Sequence, residues 1–144
     1  MDFEPHSSDH AIRLVEFSLD LARPIEPAEL QNFVNRRFDV LVELPAFTAS
    51  TDPFDPYVEV AFRRPDGGFT WMVSIRGNRL IVQTTTYTRW DKVWSLARKR
   101  LLWCAAAIGG EGSTRPSATS LTFRVIDQFN ATVPNPITSS LLRA

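Results

Sequence analysis

The segment Tyr57–Tyr87, YVEVAFRRPDGGFTWMVSIRGNRLIVQTTTY, contains three runs in which apolar and polar residues alternate. Alternation with a period of two is typical of strands that bury one face. The predicted strands are Tyr57–Arg63, Phe69–Arg76 and Arg79–Tyr87. The two connections, Pro65-Asp66-Gly67-Gly68 and Gly77-Asn78, have the composition of hairpin turns because glycine and asparagine tolerate a positive φ. The segment therefore predicts an antiparallel meander.

The chain before this meander predicts a strand, a short helix, a second strand and a loop. Ala11–Leu21 and Val40–Leu44 both alternate and are predicted as strands. Between them, Pro27–Phe38 has apolar residues at helical spacing, and proline suits the first turn of a helix. The proline-containing segment Phe47–Pro56 is predicted as a turn-rich loop.

The chain after the meander predicts a long amphipathic helix and a last strand. Thr88 and Asp91 resemble a capping box at the start of the helix, and Gly109-Gly110 predicts its end. Its apolar stripe consists of Trp90, Val93, Trp94, Ala97, Leu101, Cys104, Ala105 and Ile108. Ala118–Phe129 returns to strand alternation.

The predicted order β-α-β-β-β-β-α-β indicates an α+β fold, in which one short and one long helix cover an antiparallel sheet of five to six strands. The helix-grip and TATA-binding-protein-like architectures share this outline, and the comparison concerns the fold alone. We expect a flexible leader at residues 1–10, one domain at 11–130 and a loose tail at 131–144.

The charged residues balance over the whole chain but not within it. The 144 residues include 16 basic and 16 acidic side chains, which excludes a uniformly basic nucleic-acid-binding protein. Thirteen acidic residues and six arginines precede Gly67, whereas three acidic and ten basic residues follow, so the two parts carry −7 and +7. Such parts either attract each other within one fold or steer a charged partner.

The residues that usually carry catalysis or bind metals are sparse. The two histidines, His6 and His10, lie in the leader, and the single cysteine, Cys104, lies on the apolar stripe of the long helix. These positions favour neither an activated nucleophile nor a metal site, and the paired glycines lack the spacing of a phosphate-binding loop. We expect no cofactor and no metal, and a binding protein more than an enzyme. With neither a signal sequence nor a membrane-spanning run, we expect a cytoplasmic protein.

Two binding sites remain as alternatives to a pure interaction module. One is a small-molecule or hydrolytic pocket between the sheet and the long helix, using Tyr87, Trp90, Arg124 and Asp127. The other is a nucleic-acid-binding surface on the long helix. Its candidate residues are Arg89, Lys92, Arg98, Lys99, Arg100 and Trp103. Of the four tryptophans, Trp71, Trp90 and Trp94 are expected to point inward and Trp103 to be exposed.

Two short motifs resemble a sporadically distributed, uncharacterised prokaryotic family. Its members have a Tyr-x-x-Trp helix start, as in Tyr87-Thr88-Arg89-Trp90, and a Leu-Arg-Tyr-Ile-Asn strand, which Phe123-Arg124-Val125-Ile126-Asp127 matches at Arg124 and Ile126. Members usually continue into a second, similar portion beyond this strand. Their genes often lie among mobile or phage-defence genes, so the resemblance implies an accessory or partner-binding role.

The last predicted strand, Ala118–Phe129, is the expected interaction site. If no further strand pairs with it, its free edge offers unpaired amides and carbonyls to another chain. We therefore expect a homodimer, or capture of a second protein, through an interface that includes Leu121, Phe123 and Val125. The alternative is that the tail, Pro134–Ala144, covers this edge.

Overall fold

The computed structural model describes residues 3–5, 12–36, 46–50, 52, 54–109 and 117–131. These residues form two helices and eight strands. The strands are β1 (Phe3–Pro5), β2 (Ile12–Leu21), β3 (Ala46–Ser50), β4 (Tyr57–Arg63), β5 (Phe69–Arg76), β6 (Arg79–Thr84), β7 (Ala118–Asp127) and β8 (Phe129–Ala131). The helices are α1 (Pro27–Arg36) and α2 (Trp90–Gly109).

Six strands form one antiparallel sheet in the order β3-β4-β5-β6-β2-β7. The prediction of an α+β fold with the element order β-α-β-β-β-β-α-β is confirmed. Strand β2 lies between β6 and β7. It therefore connects the meander β4-β5-β6 to β7, the last strand of this sheet in sequence. Residues Phe3–Pro5, which lie in the predicted leader, pair as β1 with β8 in a separate two-stranded sheet.

The hairpin turns explain why the meander follows directly from the sequence. Gly67 and Gly77 have φ values of 86° and 59°, which other residues rarely adopt. In the first turn the Asp66 carboxylate accepts a hydrogen bond from the Gly68 N–H at 2.9 Å. Each turn thus sets the register of its two strands locally.

One face of the sheet and both helices enclose the hydrophobic core. Alternate residues of β2, β4, β5 and β6 are buried on this face, among them Phe17 and Val82, and Leu30 and Phe33 of α1 pack into the same cluster. Helix α2 contributes much of its predicted stripe, namely Val93, Ala97, Leu101, Cys104 and Ile108. Cys104 is completely buried, and burial raises the pKa of its thiol far above the ordinary value.

The start of α1 is fixed by a carboxylate in its first turn. Glu29 accepts a hydrogen bond from the Glu26 N–H at 2.9 Å and forms two with the Arg23 guanidinium at 2.7 and 2.8 Å. The contact with Arg23, assisted by the Glu26 N–H, lowers the pKa of Glu29. A charge at this position satisfies an otherwise unpaired amide and interacts favourably with the helix dipole.

The predicted boundaries change at β3 and at β6. The loop prediction for Phe47–Pro56 was wrong at its start, because residues up to Ser50 belong to β3, which pairs with Tyr57–Ala61 of β4. Strand β6 ends at Thr84 instead of Tyr87, because the Thr84 hydroxyl accepts a hydrogen bond from the Thr86 N–H and turns the chain out of the ladder. The predicted strand Val40–Leu44 and the last two residues of the predicted first helix lie outside the described residues.

The described helices include none that is long and apolar enough to cross a membrane.

Candidate functional site

Strand β7 lies at the end of the sheet. It pairs with β2 through nearly all of its length, and within the described ranges no strand pairs with its other edge. All ten residues of β7 are exposed. The strand thus presents a row of backbone donors and acceptors of the kind that pairs with another chain.

Large apolar side chains also mark this edge. Leu121, Phe123 and Val125 lie directly opposite Leu19, Phe17 and Val15 of β2, so they project from the face of the sheet that the helices cover. They are nevertheless exposed, Phe123 by 49%. We refer to these three residues together with Trp90 as the β7 apolar surface.

Trp90 shows why β7 is left uncovered. Trp90 is the first residue of α2, and its ring lies 4.6 Å from the ring of Phe123 and 5.8 Å from that of Phe17. It remains 45% exposed, so the helix layer thins out here before it covers β7. The four residues form a continuous apolar surface beside a strand edge with which no described strand pairs.

The tryptophan predictions are confirmed only in part. Trp90 points inward, with its ring 5.8 Å from that of Phe17, but it lies in the first turn of α2 at the margin of the helix layer and is 45% exposed. Trp103 was expected to be the exposed one, but its ring packs 5.1 Å from that of Phe33, because α1 lies against this side of α2. A helical stripe calculated from spacing alone takes no account of the second helix.

The second feature lies on the outer face of the sheet, which points away from both helices. The pairings place the residues of this face in rows that run across the strands. The middle row is Thr48, Glu59, Ser74, Ile81, Ser18 and Thr122. One neighbouring row is Ser50, Tyr57, Arg76, Arg79, Asp20 and Ser120, and the other includes Ala61, Met72, Gln83, Glu16 and Arg124.

Short side chains in the middle row leave a depression between longer ones. A cavity of about 450 Å³ lies over the end of this row, lined by Thr48, Tyr57, Glu59, Ser74, Arg76 and Ile81 among others. The sequence does not predict this cavity. The outward positions of Thr48 and Ser74 could have indicated it only once the register between the strands was known.

The structure does not bring the four predicted pocket residues together. Trp90 lies on the helix-covered face, whereas Arg124 lies on the outer face, where its Nη2 donates to Glu16 Oε2 at 2.9 Å. Asp127 lies at the end of β7 opposite Ile12, and Tyr87 packs against the core. None of the four is among the residues that line the described cavity.

The predicted nucleic-acid-binding residues do not form one exposed surface either. Arg100 lies over the Trp71 ring at 4.2 Å, and Trp103 is partly buried against α1, so both contribute to packing. Arg89 forms an ion pair with Asp91 at 3.2 Å. Lys92, Arg98 and Lys99 remain exposed on α2. The aromatic side chain expected to stack bases beside them, Trp103, is turned to the core.

Across the described part of the chain, no three His, Cys, Asp or Glu side chains come together in a way that could hold a metal ion. Comparison with known proteins returned no matching family model, no matching curated protein and no matching solved structure. The resemblance to the uncharacterised prokaryotic family stays a prediction.

Proposed function

We propose that this protein is a non-enzymatic interaction module that binds a second copy of itself through β7. The observation that carries the proposal is the β7 apolar surface, in which Phe123 is half exposed although it contacts two other aromatic rings. Large apolar side chains that cluster on a protein surface mark interaction sites, and an unpaired strand edge supplies the backbone hydrogen bonds. A single, buried cysteine suits a reducing compartment such as the cytoplasm.

The sequence of β7 supports a second copy as the partner because it is self-complementary. Residues directly opposite each other in an antiparallel pair share a face of the sheet. With the twofold axis at Phe123, Phe123 faces its own copy and Leu121 faces Val125 of the other copy. The three apolar residues of each chain then meet only apolar residues, and the symmetry satisfies both free edges at once.

Neighbouring registers are less favourable. A shift by two residues in one direction places Arg124 opposite its own copy and Leu121 opposite Asp127, which opposes like charges and buries an apolar group against a carboxylate. A shift in the other direction places Val125 opposite Thr119. The register centred on Phe123 avoids both penalties, since Arg124 then faces Thr122.

The experiment uses two double variants that introduce charged side chains at positions 121 and 125. In the proposed register these two positions face each other across the interface. Leu121→Lys with Val125→Lys therefore opposes like charges and is expected to give single chains at micromolar concentration in light scattering. Leu121→Lys with Val125→Glu pairs opposite charges and is expected to retain the dimer and to lose it in high salt.

Both positions are exposed, so both variants are expected to keep the circular dichroism of the wild type. Two results would overturn the proposal. One is a wild-type protein that is monomeric, and the other is the same oligomeric state for both double variants in light scattering.

A further inference from the structure

The cavity on the outer face holds an acid and a base that do not pair with each other. Glu59 and Arg76 project from the same face of neighbouring strands, Glu59 opposite Ser74 and Arg76 two residues further along β5. Such diagonal neighbours lie about 7–8 Å apart at the backbone, within reach of long side chains. Both residues line the cavity.

The arginine is held to one side of the cavity. Its guanidinium carbon lies 4.7 Å from the centre of the Tyr57 ring, and its Nε lies 3.5 Å from a carboxylate oxygen of Asp55. These contacts orient Arg76 along its own row of the sheet. Both contacts are made with Tyr57 and Asp55, whereas Glu59 lies in the middle row.

The carboxylate of Glu59 has neither a hydrogen bond nor an ion pair with any other described residue, although the side chain is partly buried. It lies between Thr48 and Ser74 in the middle row, so two hydroxyl groups flank it. Further along the same row, beyond Ile81, Ser18 is only 7% exposed and its hydroxyl has no hydrogen-bond partner among the described residues. Buried polar groups are normally paired, so the row holds more hydrogen-bonding capacity than the described chain uses.

We propose that this cavity binds a small zwitterion, an α-amino acid with an apolar side chain. The ammonium group binds Glu59, with the Thr48 and Ser74 hydroxyls as further acceptors, and the carboxylate binds the Arg76 guanidinium in charge-assisted hydrogen bonds. Ile81, the apolar member of the row, contacts the apolar side chain. The volume of about 450 Å³ lies within the range of small-molecule sites.

The test is isothermal titration of the full chain with L-leucine and with two analogues that each lack one charge. N-acetyl-L-leucine lacks the cation and L-leucinamide lacks the anion. We expect L-leucine to bind, and each analogue to bind at least tenfold more weakly. Glu59→Gln is expected to lower the affinity for L-leucine at least tenfold and to leave the affinity for N-acetyl-L-leucine unchanged. Arg76→Gln is expected to lower the affinity for L-leucine at least tenfold and to leave the affinity for L-leucinamide unchanged.

Arg79→Gln is the matched control. Arg79 lies directly opposite Arg76 but forms an ion pair with Asp20 at 2.9 Å and is not among the residues that line the cavity. It is expected to change the affinity less than twofold. An absence of L-leucine binding at millimolar concentration, or an equal loss in all three variants, would overturn the proposal. The cavity lies at the opposite end of the sheet from β7, so the monomeric or dimeric state of the protein is a separate result.

Discussion

Replacing Phe17 with alanine is expected to lower the free energy of unfolding by about 4 kcal/mol, the usual cost of removing a buried aromatic ring. Phe17 is almost fully buried near the middle of β2, and its ring lies 5.4–5.8 Å from those of Trp90, Trp94 and Phe123. The ring therefore joins the sheet, α2 and the β7 edge. Its loss leaves a cavity between the sheet and α2, which adds to the cost of the lost burial.

Urea denaturation, monitored by tryptophan fluorescence, measures this change in the free energy of unfolding. Phe54→Ala is the control, because Phe54 is 97% exposed in the connection before β4, and it is expected to change the free energy of unfolding by less than about 0.5 kcal/mol. Equal and small effects at the two positions would contradict the central place assigned to Phe17.

Replacing Phe123 with aspartate is expected to weaken the dimer at least about a hundredfold. In the proposed register the two copies of residue 123 face each other on the symmetry axis, so the substitution places two carboxylates side by side where two rings were. Like charges juxtaposed at an interface cost several kcal/mol, and each 1.4 kcal/mol corresponds to a tenfold change. Sedimentation equilibrium over a range of concentrations measures the dissociation constant.

The matched control for this variant is Phe54→Asp, which makes the same change at an exposed phenylalanine far from β7 in the chain. It is expected to leave the dissociation constant unchanged. Because Phe123 also contacts Phe17, circular dichroism must confirm that Phe123→Asp is folded, and Leu121→Asp provides the same test at a position with no ring contact. Dissociation in the Phe54 variant, or an intact dimer in both β7 variants, would contradict the interface.

The parts of the fold that sequence could predict are those fixed by local interactions. The strands β4 and β5 have the predicted boundaries because short turns with glycine set their register. The position of β7 beside β2 depends on pairing between residues about a hundred positions apart, and alternation alone does not specify such a partner. The same limit explains β3, whose strand character comes from pairing with β4.

One candidate site could be predicted from the sequence and the other could not. Leu121, Phe123 and Val125 could be selected from sequence because they share one face of one strand, and the structure shows them exposed. The cavity could not, because Glu59 and Arg76 come together only when β4 and β5 are paired in their actual register. The exposure of Trp90 likewise depends on where α2 begins relative to the sheet.

A distance between the two copies tests the proposed strand pairing most directly. Ser120→Cys introduces a labelling site on β7, and the native Cys104 is fully buried with a raised thiol pKa, so a nitroxide reagent is expected to modify position 120 alone. With the twofold axis at Phe123, the two labelled residues are offset by six positions, or about 20 Å at 3.3–3.4 Å per residue. Double electron–electron resonance on the labelled dimer is expected to show one distance near this value, whereas a dimer with a much longer distance, or no distance between chains at all, would contradict pairing through β7.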